Sequence, residues 1–184
     1  MRVFYLLFAV FAVLALTSCD TVWDEPFTAN NDSPDTEGFY TCSSGNFVLK
    51  YKTVPNNLLQ CRMSTSTSGW IAVGFNPTQQ MKDANYIIAY VSDGNGFIRD
   101  DFGTDNTAHV SDLSLGGSSD VALLAANESN GNTTVEFTLP LNSGDSFDRI
   151  LQIGTTYPVI FATGSEDDFD SYHDRYAAGS IRIR

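Results

Sequence analysis

The sequence predicts an all-β domain whose antiparallel strands form a sandwich or a barrel. Helical periodicity is nearly absent, whereas short runs of alternating apolar residues recur along the chain. Turn signals rich in Gly, Asn and Asp separate these runs, because such residues tolerate the positive φ angles of tight hairpins. At most one short helix is expected.

Nine runs are predicted to be strands. The pattern is plainest where Val135, Phe137 and Leu139 alternate with polar residues, which indicates one buried and one wet face. Asp93-Gly94-Asn95-Gly96 and Asn130-Gly131-Asn132 are predicted hairpin turns. In chain order the predicted strands are Phe47 to Val54, Leu58 to Ser64, Gly69 to Phe75, Tyr86 to Val91, Gly96 to Asp100, Asp120 to Glu128, Thr133 to Leu139, Tyr157 to Thr163 and Ser180 to Ile183.

Two longer polar connections interrupt the strands, at residues 101–117 and 142–156. Loops of this length at one end of a sandwich commonly carry function.

The first residues of the chain are predicted to be an export signal. Arg2 precedes an apolar run that ends at Leu16, which is shorter than the ~20 residues of a membrane-spanning helix. Leu16-Thr17-Ser18-Cys19 resembles the lipobox of bacterial lipoproteins, which implies cleavage after residue 18 and lipidation of Cys19. An ordinary secretory signal, with Cys19 incidental, is the alternative.

The rest of the chain divides into a tether and one domain. Residues 19–38 are mostly polar and predict a flexible lipidated tether, and residues 39–184 have the length of one domain. The formal charge of -12, with only 10 Lys and Arg, argues against a nucleic acid or an anionic membrane surface as partner. We expect an exported protein that contacts the membrane through its lipid anchor only.

Cys42 and Cys61 remain in the predicted domain. In an oxidising compartment an even pair of cysteines is most simply a disulfide, with metal ligation as the weaker alternative. The sequence contains no Cys-x-x-Cys-His motif, so any haem would be held without covalent links.

Met81 and His173 are the residues that packing explains least well. Met81 lies in the polar stretch Thr78 to Asp83, and His173 lies in Tyr172-His173-Asp174-Arg175-Tyr176. A thioether and an imidazole on opposite sides of a pocket can hold haem iron axially. The plainer alternatives are a rim contact for Met81 and a hydrogen-bonded surface position for His173.

Met81 and His173 belong to a longer set of segments, namely Gly69-Trp70-Ile71-Ala72-Val73-Gly74-Phe75-Asn76-Pro77, Met81, Asp83 to Val91, Ile98 to Phe102, Val135 to Pro140 and Tyr172 to Ser180. Together these segments resemble the DOMON family, which includes the cytochrome domain of cellobiose dehydrogenase. The resemblance implies an immunoglobulin-like β-sandwich and non-covalent haem b, with Met81 and His173 as axial ligands. A glycine often follows the histidine closely in cytochrome members, whereas Asp174 stands here.

The resemblance also suggests supporting residues. Asp174 or a backbone carbonyl would accept from the second ring nitrogen of His173. Candidates to face the porphyrin are aromatic, although residues of this kind are more often plain sandwich core: Trp70, Phe75, Tyr86, Tyr90, Phe102, Tyr172 and Tyr176. Arg175 or Arg182 is the candidate partner for the haem propionates.

Other candidate sites are weaker. His109 is the rival imidazole ligand and is predicted to be a surface loop residue. The acidic run from Glu166 to Asp170 offers oxygen ligands for calcium but has no known calcium-loop spacing, so a solvated loop is expected.

The leading hypothesis is an extracytoplasmic single-electron relay, because two protein ligands would leave no open iron position. Its partner would be a redox protein or the quinone pool. No catalytic constellation is recognisable, so the domain is not expected to be an enzyme. A haem-free module for carbohydrate or another small ligand is the runner-up, and a purely structural or adhesive sandwich is the third hypothesis.

Overall fold

The computed structural model describes residues 31–184, which form two packed antiparallel sheets. The predicted export signal and Cys19 lie outside the described residues. The five-stranded sheet has the order β1-β2-β3-β9-β8, and the six-stranded sheet has the order β11-β10-β4-β5-β6-β7. The all-β sandwich prediction is confirmed. The strands are β1 Tyr40–Ser44, β2 Phe47–Val54, β3 Leu58–Thr65, β4 Ile71–Phe75, β5 Asn85–Ser92, β6 Asn95–Asp105, β7 Ala108–Ser111, β8 Ala122–Ser129, β9 Asn132–Pro140, β10 Thr156–Thr163 and β11 Arg175–Arg182, with one short helix, α1 Asp112–Leu115.

The main core lies between the two sheets. In β9, Val135, Phe137 and Leu139 point inward as predicted, and all three are buried. The residues between them point outward, where the Glu136 carboxylate accepts from Arg62 Nε at 2.8 Å. Alternation therefore sets the inner face of the five-stranded sheet, as it does for a half-buried strand.

Both predicted hairpin turns are present. Asp93 and Gly94 have φ angles of 50° and 75° between β5 and β6, and Asn130 and Gly131 have φ angles of 53° and 68° between β8 and β9. Two consecutive residues with positive φ are the signature of the type I′ turn, which matches the twist of the strands that it joins.

Two strands, β1 and β7, were not predicted from the sequence, and β11 begins at Arg175, five residues before the predicted start at Ser180. No helix among residues 31–184 is long and apolar enough to cross a membrane.

The predicted disulfide between Cys42 and Cys61 is wrong. Both thiols are free and fully buried. Cys42 lies on β1 opposite Leu49, and Cys61 lies on β3 opposite Tyr51, so strand β2 stands between them. Strands two apart in a sheet are separated by about 10 Å, whereas bonded cysteines need Cα atoms within about 7 Å.

We expect both thiols to be unreactive in the folded protein. Burial raises the pKa of Cys42 to about 11 and also raises the pKa of Cys61, and only the thiolate is nucleophilic. Alkylation followed by peptide mass spectrometry should find Cys42 and Cys61 unmodified in the native protein. Both should be modified after denaturation without reductant. A peptide pair joined through the two cysteines would contradict the fold.

Candidate functional site

The outer face of the six-stranded sheet, turned away from the main core, is also apolar and buried. Its central strands β4, β5 and β10 send alternate side chains to this face. A face of a sheet stays dry only where other parts of the chain cover it, and here two connections do so. The outer cluster consists of Trp70, Ala72, Ala84, Tyr86 and Ile88, against which Met81, Tyr90, Ile160, Ala162 and Phe169 pack.

Met81 lies in the first covering connection, between β4 and β5. The Asp83 amide donates to the Gly103 carbonyl at 2.8 Å, which holds the connection against the end of β6. A Cβ atom at Gly103 would come within 1.9 Å of the Met81 carbonyl oxygen, so this close approach requires glycine. The Met81 side chain is half-buried against the outer cluster, although its sequence neighbours are polar.

The second covering connection, residues 164–174, joins β10 to β11 and carries His173. Trp70 anchors it, since Trp70 Nε1 donates to Ser171 Oγ at 2.8 Å. The Phe169 side chain packs against the outer cluster. The connection therefore lies across the same face as Met81.

His173 is half-buried near the end of this connection, with its ring edge-on to the Tyr176 ring at 5.5 Å between centroids. Asp174 is turned towards β10. Its amide donates to the Thr163 carbonyl at 2.9 Å, and its carboxylate accepts from Thr163 Oγ1 at 3.1 Å. Asp174 therefore fixes the end of the connection against β10.

Met81 and His173 approach the outer face from opposite ends of its strands. Met81 follows the Phe75 end of β4, whereas His173 lies beside Thr163, which pairs with Ile71 at the other end of β4. The two ends of this five-residue strand are about 13 Å apart. Met81 and His173 therefore lie towards opposite ends of the same sheet face.

A buried charged cluster lies on the same face, beside Met81. Arg99 Nε and Nη2 donate to the two carboxylate oxygens of Asp101 at 2.6 and 2.7 Å, and His109 Nδ1 lies 2.6 Å from Asp101 Oδ2. Burial opposes ionisation, but the bonds from His109 and Arg99 outweigh it and hold the pKa of Asp101 below its ordinary value. His109 is therefore a half-buried residue of β7, and its prediction as a surface loop residue is wrong.

The Asp101 cluster was missed because His109 was assigned to a loop. A signal for it existed, since Arg99 and Asp101 are two residues apart and therefore share one face of a strand.

Tyr86 is the polar exception inside the outer cluster. Its ring lies over Gly74, where an added Cβ would come within 2.6 Å of Tyr86 Cε1, and its hydroxyl is buried without a hydrogen-bond partner. Burial raises the pKa of Tyr86. A buried hydroxyl without a hydrogen-bond partner costs free energy, and a polar group of a ligand that accepted its hydrogen bond would remove that cost.

Three of the other residues predicted to contact a cofactor lie away from the outer cluster. Phe75 is on the opposite face of β4, fully buried in the main core, so it cannot reach a group held on the outer face. Tyr172 is 87% exposed. The Arg175 guanidinium is exposed and donates to the Ser66 carbonyl. Of the residues predicted to bind haem, Met81, Trp70, Tyr86 and Tyr90 share the outer cluster. His173 lies beside Tyr176, whose strand partner is Ala162 of that cluster.

The acidic run from Glu166 to Asp170 uses its carboxylates locally. Asp168 Oδ1 accepts from the amides of Asp170 and Ser171 at 3.0 and 2.8 Å, and Asp170 pairs with Arg99 at 3.1 Å. These bonds shape the second covering connection.

Comparisons with known proteins agree with this architecture. The family model described as DOMON domain matches residues 43–164. The cytochrome domain of Myriococcum thermophilum cellobiose dehydrogenase superposes with a TM-score of 0.61 at 10% identity, over 85% of this chain and 88% of that one. The cytochrome b domain of pyranose dehydrogenase from Coprinopsis cinerea superposes with a TM-score of 0.57 at 12% identity, over 78% and 82%. At these identities the likeness concerns the fold.

Two curated relatives are larger proteins. DBH-like monooxygenase protein 1 of Homo sapiens is 30% identical over 116 residues, which is 61% of this chain and 18% of that protein. Its counterpart in Mus musculus is 30% identical over 119 residues, which is 63% of this chain and 19% of that protein. The chain thus spans less than a fifth of the length of these relatives.

Proposed function

Because the chain belongs to the DOMON family, we propose that its domain binds haem b non-covalently on the outer face of the six-stranded sheet and passes single electrons. Met81 and His173 are the proposed axial ligands. One observation carries this proposal. The two connections that bear these residues cover the same apolar face from opposite ends of its strands.

The chemistry of the face suits the cofactor. Thioether sulfur and neutral imidazole nitrogen are established protein ligands of haem iron. Ala72, Ile88 and Ala162 present an apolar surface without charge. The hydroxyl of Tyr86, which has no partner, supplies a buried donor beside that surface. These features support a flat, mostly apolar ligand with a few polar groups.

The chain's own residues would position the ligands. Gly103 lets the Met81 backbone lie against β6, and Trp70 holds the connection that leads to His173. Bound haem supplies one-electron oxidation and reduction at its iron. Met81 and His173 would both hold the iron and would leave it no open position for a substrate, so the domain would act as an electron relay.

The proposed setting follows from the same relay role. An exported domain on a lipid anchor at Cys19 would take electrons from a redox protein or the quinone pool and deliver them to another carrier. The net charge of -12 suits a basic protein partner, because opposite charge accelerates encounter.

Haemin titration of ligand variants tests the proposal. Met81→Ala and His173→Ala should each weaken haem binding by at least the roughly 10- to 100-fold that loss of a supporting residue costs a metal site. Two matched controls are available. Met63→Leu alters a buried methionine of the main core, and His109→Ala removes the other of the chain's 2 histidines. Both controls should retain tight binding. Loss of binding in His109→Ala but not in His173→Ala would contradict the ligand assignment.

A haem-free carbohydrate module is the second candidate, and one observation favours it. Tyr172 and Tyr176 are 87% and 59% exposed beside His173, and exposed aromatic rings suit stacking on a sugar. Glycan-array binding that survives in Met81→Ala and His173→Ala but is lost in Tyr172→Ala would support this candidate. Absence of glycan binding in the parent protein would contradict it.

A further inference from the structure

Three aspartates from separate segments meet on the other side of β6 from the outer cluster. Asp100 lies in β6, Asp112 is the first residue of α1, and Asp148 lies in the connection between β9 and β10. One carboxylate oxygen of each lies within 4.8 Å of the others. The two predicted long polar connections, at residues 101–117 and 142–156, each contribute one of these carboxylates.

Asp100 and Asp112 are buried, Asp148 is half-buried, and each has a buried carboxylate oxygen that lacks a partner. Asp112 is 0% exposed and both of its oxygens are without a hydrogen bond, as are Asp100 Oδ1 and Asp148 Oδ2. No ion pair among residues 31–184 joins a cation to any of the three. An uncompensated buried charge costs several kcal/mol, so three ionised carboxylates would need a positively charged partner at this place.

An uncharged side chain with a free oxygen contacts one of the three aspartates, Asp148. Asn85 is 3% exposed, and its Nδ2 donates to the Asp148 carboxylate. Its amide oxygen Oδ1 is buried without a partner next to that carboxylate. Asn85 thus offers a fourth oxygen ligand, independent of the acidic residues.

The remaining bonds hold this geometry in place. The Asp120 amide donates to Asp100 Oδ2 at 3.0 Å, which leaves Asp100 Oδ1 free. Burial, and secondarily the neighbouring carboxylates, raise the pKa of Asp100 to about 7 and that of Asp112 to about 8. Carboxylate groups this close together are stable only when some of them are protonated or when a cation binds between them.

The geometry points to a calcium site formed by Asp100, Asp112, Asp148 and Asn85. Calcium takes six to eight oxygen ligands at about 2.3–2.6 Å, so oxygens that bind one ion lie no more than roughly 5 Å apart. The three carboxylate oxygens meet that condition, since they lie within 4.8 Å of one another. The set contains no imidazole or thiolate, which disfavours zinc and copper. Ligands from two strands, a short helix and a connection suit calcium better than magnesium, which demands a strict octahedron and retains its waters.

Bound calcium would tie the connections after β7 and β9 to β5 and β6, and so fix one end of the sandwich. The site lies on the opposite face of β6 from Asp101, so the proposal stands whether or not haem binds.

Calorimetric titration of the purified chain with CaCl2, after EDTA treatment and in about 150 mM NaCl, tests the site. We expect one ion per chain with a Kd of about 10⁻⁴ to 10⁻³ M, the range of extracellular calcium modules. Addition of 10 mM CaCl2 should raise the Tm by about 3–10 °C, because the ion binds only the folded state. MgCl2 should give a smaller shift.

Asp112→Asn, which keeps the side-chain shape, should abolish both the binding heat and the calcium-dependent rise in Tm. In EDTA the variant should be at least as stable as the parent, because a neutral amide replaces a carboxyl group whose ionisation burial disfavours. That result separates ligation from a merely structural role. Asn85→Ala should weaken calcium binding, whereas Asp167→Asn, in the exposed acidic run, should leave it unchanged. Absence of calcium binding in the parent, or an equal rise in Tm in Asp112→Asn, would overturn the proposal.

Discussion

Replacing Asp101 with alanine is expected to lower the free energy of unfolding by about 3–5 kcal/mol. Its carboxylate is fully buried and holds Arg99 through two bonds and His109 through a third. Removal of this buried carboxylate leaves Arg99 with only the exposed carboxylate of Asp170 as an anionic partner, and loss of the buried partner of an ion pair is the costly case. Equilibrium unfolding in urea, monitored by tryptophan fluorescence, measures the change.

Asp170→Ala is the matched control for Asp101→Ala. Asp170 pairs with the same guanidinium at 3.1 Å, but its side chain is 84% exposed. Exposed pairs contribute about 0–1 kcal/mol, so this variant should be nearly as stable as the parent. If both substitutions lowered the free energy of unfolding by the same small amount, Asp101 would not form a buried ion pair.

Replacing Phe137 with alanine should cost about 3–5 kcal/mol as well, for a different reason. Phe137 is fully buried in the main core on β9, between Cys61 of β3 and Leu123 of β8. Truncation of a buried aromatic ring removes its burial energy and leaves a cavity. Urea unfolding gives the change in free energy, and Thr138→Ala, which alters the outward-facing neighbour, should change it by less than about 1 kcal/mol. A loss below 1 kcal/mol in Phe137→Ala would contradict the assigned core.

Local patterns predicted most of the strands because those strands have one wet face. The alternation around Phe137 and the two hairpin turns at Gly94 and Gly131 are local signals, and the structure confirms them. The β1 strand, Tyr-Thr-Cys-Ser-Ser, is short and mostly polar, so its sequence carries little signal. It forms a strand because β2 offers it hydrogen-bonding partners.

The alternation of apolar and polar residues does not predict which face a side chain lies on when both faces of a strand are buried. Every residue of β4 from Ile71 to Phe75 is buried, so composition alone does not tell which side chains face the main core. Trp70 and Phe75 therefore looked equivalent as cofactor contacts, although they lie on opposite faces. The disulfide prediction failed because it depends on the order of strands in the sheet. No local signal in the sequence shows that β2 lies between Cys42 and Cys61.

Sites assembled from distant segments were the hardest to foresee. The resemblance to DOMON domains singled out Met81 and His173, which are 92 positions apart, and the structure places both connections over one face. No comparable motif pointed to the oxygens of Asp100, Asp112 and Asp148, since each aspartate looks like an ordinary loop or strand residue in the sequence. Only the folded arrangement brings them together.

The visible absorption spectrum of the purified protein, produced with haem supplied and recorded oxidised and reduced, tests the proposed function most directly. Haem held by Met81 and His173 should give a Soret band and the spectrum of a six-coordinate b-type cytochrome, and both features should change in Met81→Ala and in His173→Ala. Absence of a Soret band, or a spectrum that is unchanged in both variants, would contradict the proposal.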